Sequence, residues 1–570
     1  LIAVPDHIAE ARNVPGLCPV WPWRSFAEFF ASRVDDAASA QRVFLTYHDD
    51  DDSSAERTYT YAQFGQAVRD TAAFLRGVAG LRRGDRLATV LSNHDATVIL
   101  YFAAWVAGIT VVPINLEEPS AKKRFILEHS QADTVCCWPA LAEELMGLQP
   151  DIPSLRQVIA VGRDGVLHPA EASSRAAPSS WLAASHFHAG SLDDEALIVY
   201  TSGTTGAPKG VVLTAGNLLT DADGIADWHG FGINDRLMCV LPIHHVNGTV
   251  VTLMTPFYCK GGVVLNRKFR SGSFWRKLSK ERVTCVSVVP TLLEFLLDAN
   301  EDRTAYPLPD FGGFICGAGP LLKDTAARFE DRFPFRIRHG YGLSETTCYS
   351  CFLPSDLAPM AHRHWLRDFE FPSIGVPLRH NEMAICDPDG RELGELSRGE
   401  ICIRGGTVCA GYYKRDDANE AAFQGGWFHS GDEGFYVRDR QGRPFFFISG
   451  RLKELIIRGG VNISPLEVDD ALKRHPMVRF GMAVPFEHRY YGEEIAGYVV
   501  LRDGGIEHAE KELLKHCRRL LPFSKCPKVI VIGRDVPYTS TGKPKRLELK
   551  AHLASSLAGY RHHQFREDEL

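Results

Sequence analysis

The sequence has no excess of positive charge. Its 64 Lys and Arg are outnumbered by 70 Asp and Glu, for a net charge of −6, and no basic block interrupts the balance. That removes the electrostatic footprint of a nucleic-acid binder. Regular cysteine spacing is lacking too. Fourteen cysteines are scattered along the chain and read as reduced, buried thiols of a cytoplasmic protein rather than a secretory disulfide framework. Cys348 and Cys351 stand at a metal-type spacing, but a zinc site needs a second pair of ligands and no partner motif lies nearby. The first twenty residues show no charged segment leading into a long apolar core, so no secretory signal is expected there. Residues 96–116 carry no charge and are long enough to span a bilayer, but Gly108, Pro113 and Asn115 interrupt them. They read as a buried helix followed by a buried strand, not a membrane span. Internal repeats and low-complexity tracts are absent as well.

What is present is a chain of 570 residues, 45% hydrophobic and 24% charged, enough for two or more globular units with large cores. Helical and strand patterns alternate. Residues 58–80 carry apolar positions at helical spacing and predict a helix capped at Gly80. The segments 86–92, 110–115, 134–138 and 157–162 predict short strands, so the fold class is α/β, with parallel sheets flanked by helices. Residues 163–195, rich in Ala, Ser and His, predict a surface loop. From about 385 to 452, short strands with turn residues predict a small β-rich subdomain. A compact α+β unit follows after 453.

The strongest local signal is YTSGTTGAPKG at 200–210. Gly203, Gly206 and Gly210 permit tight turns that aim several backbone N–H groups at one anion. Thr201, Ser202, Thr204 and Thr205 add hydroxyls, and Lys209 adds a cation. This is the chemistry of a polyphosphate cradle, although it is not the GxxxxGKS/T loop.

The loop resembles the phosphate loop of the adenylate-forming superfamily, which includes acyl-CoA synthetases, nonribosomal-peptide adenylation domains and luciferases. Further motifs follow in that family's order, from about residue 25 to 550. LPIHHVNG at 241–248 is similar to the acyl-CoA synthetase motif LPLFHxxG and places His245 at the acyl pocket. The FDxS pattern of amino-acid adenylation domains is missing. The resemblance implies that Gly317, Ala318, Gly319 and Pro320, with Gly340, Tyr341, Gly342 and Ser344 of HGYGLSET, hold the adenine, Tyr341 stacking on it. Glu345 is implied as a Mg²⁺ ligand, with the Thr201 hydroxyl as a second candidate. Asp432 of WFHSGD, matching WxxTGD, and Arg451 of SGRLKE would bind the ribose. Lys453 takes the hinge position between residues 1–452, the large domain, and 454–570, the small mobile one. Gly459 and Gly460 resemble the loop that lines the pantetheine tunnel. Lys543 of TSTGKPKR matches the catalytic lysine.

The implied reaction uses ATP and Mg²⁺ to convert a small carboxylic or amino acid into its acyl-adenylate with release of pyrophosphate. A thiol then takes the acyl group: coenzyme A, or the phosphopantetheine of a separate carrier protein. Asn247, Thr249 and Cys316 fall near the expected acyl pocket and hint at a small or polar acid.

Overall fold

The computed structural model describes residues 4–52, 55–162, 167–169, 190–201, 208–299, 301–502, 508–539 and 543–566. Among them three sheets form. The first has seven strands, in the order Leu167–Pro169, Gln157–Val161, Thr134–Cys137, Arg86–Val90, Thr110–Pro113, Glu195–Thr201 and Lys209–Thr214. Its central pairs are parallel. The segment 96–116 resolves into the helix Asp95–Val106, all twelve of whose side chains are buried, and the buried strand Thr110–Pro113. An all-apolar helix inside a large domain needs no membrane, and no helix among the described residues is long and apolar enough to cross one.

The second sheet has fourteen strands. Val43–His48, Gly262–Asn266, Arg236–Cys239, Cys285–Val288, Phe314–Cys316 and Ile337–Tyr341 pair in parallel. From Cys351–Phe352 onward the pairing turns antiparallel, through Ser373–Pro377, Pro444–Arg451, Trp427–Arg438, Gly399–Gly405 and Asn381–Cys386. The β-rich part is therefore hydrogen-bonded to the parallel part. Beyond Ile456 a separate five-stranded sheet carries its own apolar clusters, built around Leu472, Val499 and Leu513 on one side and Val484, Tyr498 and Leu553 on the other. The architecture is thus mixed α/β with a small C-terminal α+β unit.

Two local expectations are corrected. Residues 57–60 are a strand paired with Val43–His48, because aromatic and β-branched side chains suit that edge. The helix starts at Tyr61 behind a reciprocal cap between Thr60 and Gln63, and ends at Gly77 rather than Gly80. Within the expected loop 163–195, Leu167–Pro169 pairs antiparallel with Ile159–Val161, and Glu195 already belongs to the next strand.

Candidate active site

The site lies at the carboxyl ends of the parallel strands Phe314–Cys316 and Ile337–Tyr341, where open α/β sheets hold ligands. The two glycine-rich turns that leave them are pressed together. A Cβ on Gly317 would lie 2.5 Å from the Tyr349 hydroxyl and 2.8 Å from the Gly340 carbonyl; one on Gly342 would lie 1.9 Å from the Cys348 carbonyl. Ala318 sits in the left-handed region at φ +60, directly before Gly319 and Pro320. Ser344 opens the short 3₁₀ turn Ser344–Thr346 that presents Glu345.

Tyr341, Asp432 and Arg451 meet beside these turns. Asp432 and Arg451 are directly opposed across Trp427–Arg438 and Pro444–Arg451. The Tyr341 hydroxyl donates to Asp432 Oδ2 at 2.6 Å. Arg451 Nε lies 2.9 Å from Asp432 Oδ1, without hydrogen-bond alignment. Oδ1 is thus a buried acceptor with no hydrogen-bond donor among the described residues, an arrangement that fits a diol ligand such as ribose. Burial raises the Asp432 carboxyl above its ordinary range, and Arg451 and Tyr341 pull it back.

Lys209 begins the strand Lys209–Thr214, opposite Thr201. Its ammonium lies 4.5 Å from the centre of the Tyr412 ring, and the Tyr412 hydroxyl donates to Glu345 Oε1 at 2.9 Å. Burial lowers the Lys209 pKa and Glu345 raises it. The Glu345 carboxylate is a hard oxygen donor of the kind that could hold Mg²⁺ together with phosphate oxygens. Ser202, Gly203, Thr204, Thr205 and Gly206 lie outside the described residues.

Lys543 comes from the other unit. Its backbone is clasped by Thr539, whose N–H donates to the Lys543 carbonyl at 2.7 Å and whose hydroxyl accepts the Lys543 N–H at 3.0 Å. The residue is exposed to the cleft, and its pKa is pushed down to about 8, by desolvation first and by Arg451 second, with Asp432 and Glu345 opposing. Its exposure to solvent limits that depression. His245 stands next to His244, ring centres 4.4 Å apart. Burial holds it well below the ordinary imidazole range, and Lys543 adds to the effect. It leads into the π-helix Asn247–Met254, a winding frequent at functional sites.

Not every expected residue gathers here. Gly459 and Gly460, at φ +58 and +82, form the two-residue turn of an exposed hairpin between Ile456–Arg458 and Val461–Ile463. Lys453 lies in the exposed 3₁₀ turn Leu452–Glu454 that joins the two units. Cys348 and Cys351 are buried free thiols, as are most of the fourteen, and among the described residues they belong to no group of three metal-type ligand atoms.

Two side chains went unnoticed in the sequence. Tyr412 bridges Lys209 and Glu345; its signal was only a Gly-Tyr-Tyr stretch without periodicity. Asp221 lies buried in the helix Ala215–His229 and accepts the Tyr349 N–H at 3.1 Å, anchoring the segment after Glu345. Burial raises its carboxyl well above the ordinary range. The first of three acids, Asp221, Asp223 and Asp227, in an otherwise uncharged helical stretch was the available clue.

Comparisons with known proteins identify the family. The AMP-binding enzyme family matches residues 33–413, and the AMP-binding enzyme C-terminal domain matches residues 467–543. A sulfoacetate–CoA ligase from Cupriavidus necator is 35% identical over 86% of this chain and 92% of its own length. An oxalate–CoA ligase from Arabidopsis thaliana is 31% identical over 88% of this chain and 94% of its own. Among solved structures, o-succinylbenzoate CoA synthetase from Bacillus subtilis, in complex with its acyl-adenylate intermediate, superposes with a TM-score of 0.76 at 27% identity, covering 92% of this chain and 97% of that one. The chain therefore belongs to the AMP-binding enzyme family of the adenylate-forming superfamily, and is an AMP-forming acid–thiol ligase of the acyl-CoA synthetase kind.

Proposed function

We propose that this ligase activates a small, polar carboxylic acid and transfers it to coenzyme A. The observation that carries the reading is the convergence of Lys543, from the C-terminal unit, with Asp432, Arg451 and Glu345 of the large one. The chemistry needs this. A carboxylate and the α-phosphate of ATP are both anions, so positioning and electrostatics supply most of the rate. An oxygen of the acid attacks the α-phosphorus, the bond to the bridging oxygen breaks, and pyrophosphate leaves. The Lys543 ammonium lies between the two anions. Lys209 and the 201–206 segment hold the departing phosphates. Asp432 and Arg451 fix the ribose, and the 317–320 and 340–344 turns flank the adenine. Glu345 and Thr201 would hold Mg²⁺, which when bound neutralises phosphate charge. In the second half-reaction, the coenzyme A sulfur, having lost its proton, attacks the acyl carbon and AMP leaves. Lys453 would be the pivot that withdraws Lys543 and brings up Gly459 and Gly460.

The size and polarity of the acid are inferred from the buried side chains that follow His245. Ser287 Oγ donates to Asn247 Oδ1 at 2.7 Å, and Asn247 Nδ2 donates to the Tyr349 hydroxyl at 3.2 Å. This buried polar chain, with the Tyr349 ring packed on Phe352 and Cys316 buried beside it, suits a short acid with a second polar group rather than a long acyl tail. Thr249 is held back from that role, since its hydroxyl donates to the Ile243 carbonyl at 2.5 Å. The sulfoacetate and oxalate ligases among the relatives support the same class.

The test is pyrophosphate release with ATP and Mg²⁺ across short dicarboxylic, sulfonated, hydroxy, aryl, fatty and amino acids, with and without coenzyme A. Release with a short polar acid, and a coenzyme A thioester as product, is expected. Release only with fatty or aryl acids would overturn the substrate class. Transfer to a phosphopantetheinylated carrier protein but not to coenzyme A would overturn the acceptor.

A further inference from the structure

Away from the nucleotide, three antiparallel strands of the β-rich part bring four ligand-type side chains to one face. Cys386 is opposed to Glu400, and Cys402 to His429. Glu400 and Cys402 are two apart on one strand, so all four project to the same side. Oxygen, sulfur and nitrogen atoms of Glu400, Cys402 and His429 lie within 4.8 Å of one another, and the Cys386 thiol contacts that of Cys402. Both thiols are sealed from solvent, at 1% and 0% exposure. Ala384 and Trp427 pack beside them. Glu400 and His429 close the outer side with 21% and 14% of their side chains exposed, which leaves a way in for a small ion.

Hydrogen bonding pairs His429 with Glu400 and leaves the Cys402 thiol beside that pair outside it. His429 Nδ1 lies 2.8 Å from Glu400 Oε2 and 3.5 Å from Cys402 Sγ. A single ring nitrogen has one hydrogen-bonding direction. Protonated, it donates to the carboxylate and has no lone pair for the thiol. Unprotonated, it turns a lone pair toward an anionic oxygen. A cation among Glu400, Cys402 and His429 satisfies these three at once, and a turn of the Cys386 thiol, which touches Cys402 but lies outside that group of three, would complete the set. In tetrahedral zinc coordination, sulfur and nitrogen ligand atoms stand about 3.5 Å apart and oxygen and nitrogen about 3.3 Å. The first spacing is already present, and the second needs the carboxylate to move out by about half an ångström. His429 also reaches the Gln424 backbone, the kind of outer hydrogen bond that orients a ligating imidazole.

We propose that Cys386, Glu400, Cys402 and His429 form a structural site for one thiophilic divalent cation of the zinc class. Two sulfurs, one nitrogen and one oxygen select such an ion over magnesium or calcium. Four protein ligands leave no open position, so the ion acts as a staple across three strands, its binding releasing the protons of the two thiols. The staple has a defined target. Between Cys402 and Glu400 the pairing slips from His429 to Glu433, a bulge that spans Ser430, Gly431 and Asp432. Glu400 Oε1 accepts the Gly431 N–H at 2.7 Å, and Gly431 sits at φ +73. The ion would therefore brace the bulge that aims Asp432 at the nucleotide.

The test uses the full-length protein, reduced, chelator-treated and titrated with Co²⁺. One equivalent bound, with the intense near-ultraviolet thiolate-to-cobalt charge-transfer band and the visible bands of tetrahedral Co²⁺, both bleached by Zn²⁺, is expected. Cys386→Ser and Cys402→Ser should each weaken binding about tenfold or more and reduce the band, and His429→Gln should weaken it similarly. Cys18→Ser, a thiol outside the cluster, should leave it unchanged. The wild-type titration needs no variant to fold. Absence of the band at micromolar Co²⁺, its persistence at full strength in Cys402→Ser, or a Cys386–Cys402 disulfide in the purified protein, seen by mass as the loss of two hydrogens, would each overturn the site.

Discussion

If Lys543 acts as a cation between two anions, the first half-reaction must follow its proton. In the free enzyme, desolvation and the neighbouring Arg451 pull its pKa down toward about 8, a depression that solvent access limits. The cation is the active form, so kcat/KM for pyrophosphate release should be level below that pH and fall about tenfold per unit above it. Once ATP and the acid are bound, their negative charge favours the ammonium. The alkaline limb of kcat should therefore lie at higher pH than that of kcat/KM. Folding stability runs the other way. Between about 8 and about 10.4 the unfolded chain holds a proton that the folded one has released, so this group adds stability as pH rises through that window. Lys543→Arg keeps its charge far above pH 10 and should flatten the alkaline limb. Lys543→Ala should lower adenylation by about 10²–10³-fold, or roughly 3–4 kcal/mol of barrier. Thioester formation from supplied acyl-adenylate should be spared. The assay is pyrophosphate release without coenzyme A, which keeps the titration of the thiol out of the profile. An alkaline limb that survives intact in Lys543→Arg, or a Lys543→Ala rate within about tenfold of wild type, would refute the reasoning.

Asp432→Asn should raise KM for ATP about 10–100-fold with a smaller change in kcat, because a charged acceptor of ribose hydroxyls is lost and the new amide confronts the Arg451 guanidinium; steady-state kinetics in ATP decides it. Lys453→Pro, at the joint between the units, should retain adenylation and lose thioester formation, measured as separate half-reactions; equal loss of both would remove Lys453 from the hinge. Arg546→Met should destabilise the C-terminal unit by about 3–5 kcal/mol, read from the urea midpoint by circular dichroism. Arg546 is 4% exposed and donates to Asp469 Oδ2 at 2.6 Å and to the Ala483 carbonyl, so its removal strands a buried carboxylate.

The parts of the molecule legible in the sequence were those where local chemistry dictates structure. The uncharged run 96–116 could only be a buried helix and strand, since Gly108 and Pro113 end any continuous helix. Asp432 and Arg451 were found separately from their motifs, but their opposition across two strands is a matter of register, which no local pattern prints. Tyr412 escaped for the same reason: it joins Lys209 to Glu345 only because the 411–414 segment runs beside the strand Lys209–Thr214. The metal-type cluster shows the limit most clearly. The sequence offered Cys348 and Cys351, close in the chain and without a third ligand, whereas the set that converges spans 386–429 and owes its proximity to three-strand pairing. An E-x-C pair on a strand, with both side chains on one face, was the faint local trace of it.

The way the two units meet bears on how one site could serve two half-reactions. Each has its own apolar core, and polar contacts feature prominently between them: Lys473 with Glu294 at 3.4 Å, Arg502 with Asp298 at 2.8 Å, Lys525 with Glu370 at 3.7 Å, and the Asp324 N–H with Asp470 at 3.2 Å. The partly exposed Arg502–Asp298 and Lys525–Glu370 pairs contribute about 0–1 kcal/mol each, whereas Lys473–Glu294 is more enclosed. Against them stands the desolvation of Lys543 and its repulsion by Arg451, a cost that bound anions offset. ATP and a carboxylate together bring the most negative charge to the site and favour the seated lysine. When pyrophosphate departs, most of that charge leaves with it, and the balance returns toward a withdrawn Lys543. The chemistry of the first step thus removes the electrostatic reason for the arrangement that performed it. In the proposed cycle, that is what frees the cleft for the exposed Gly459–Gly460 turn and the incoming thiol.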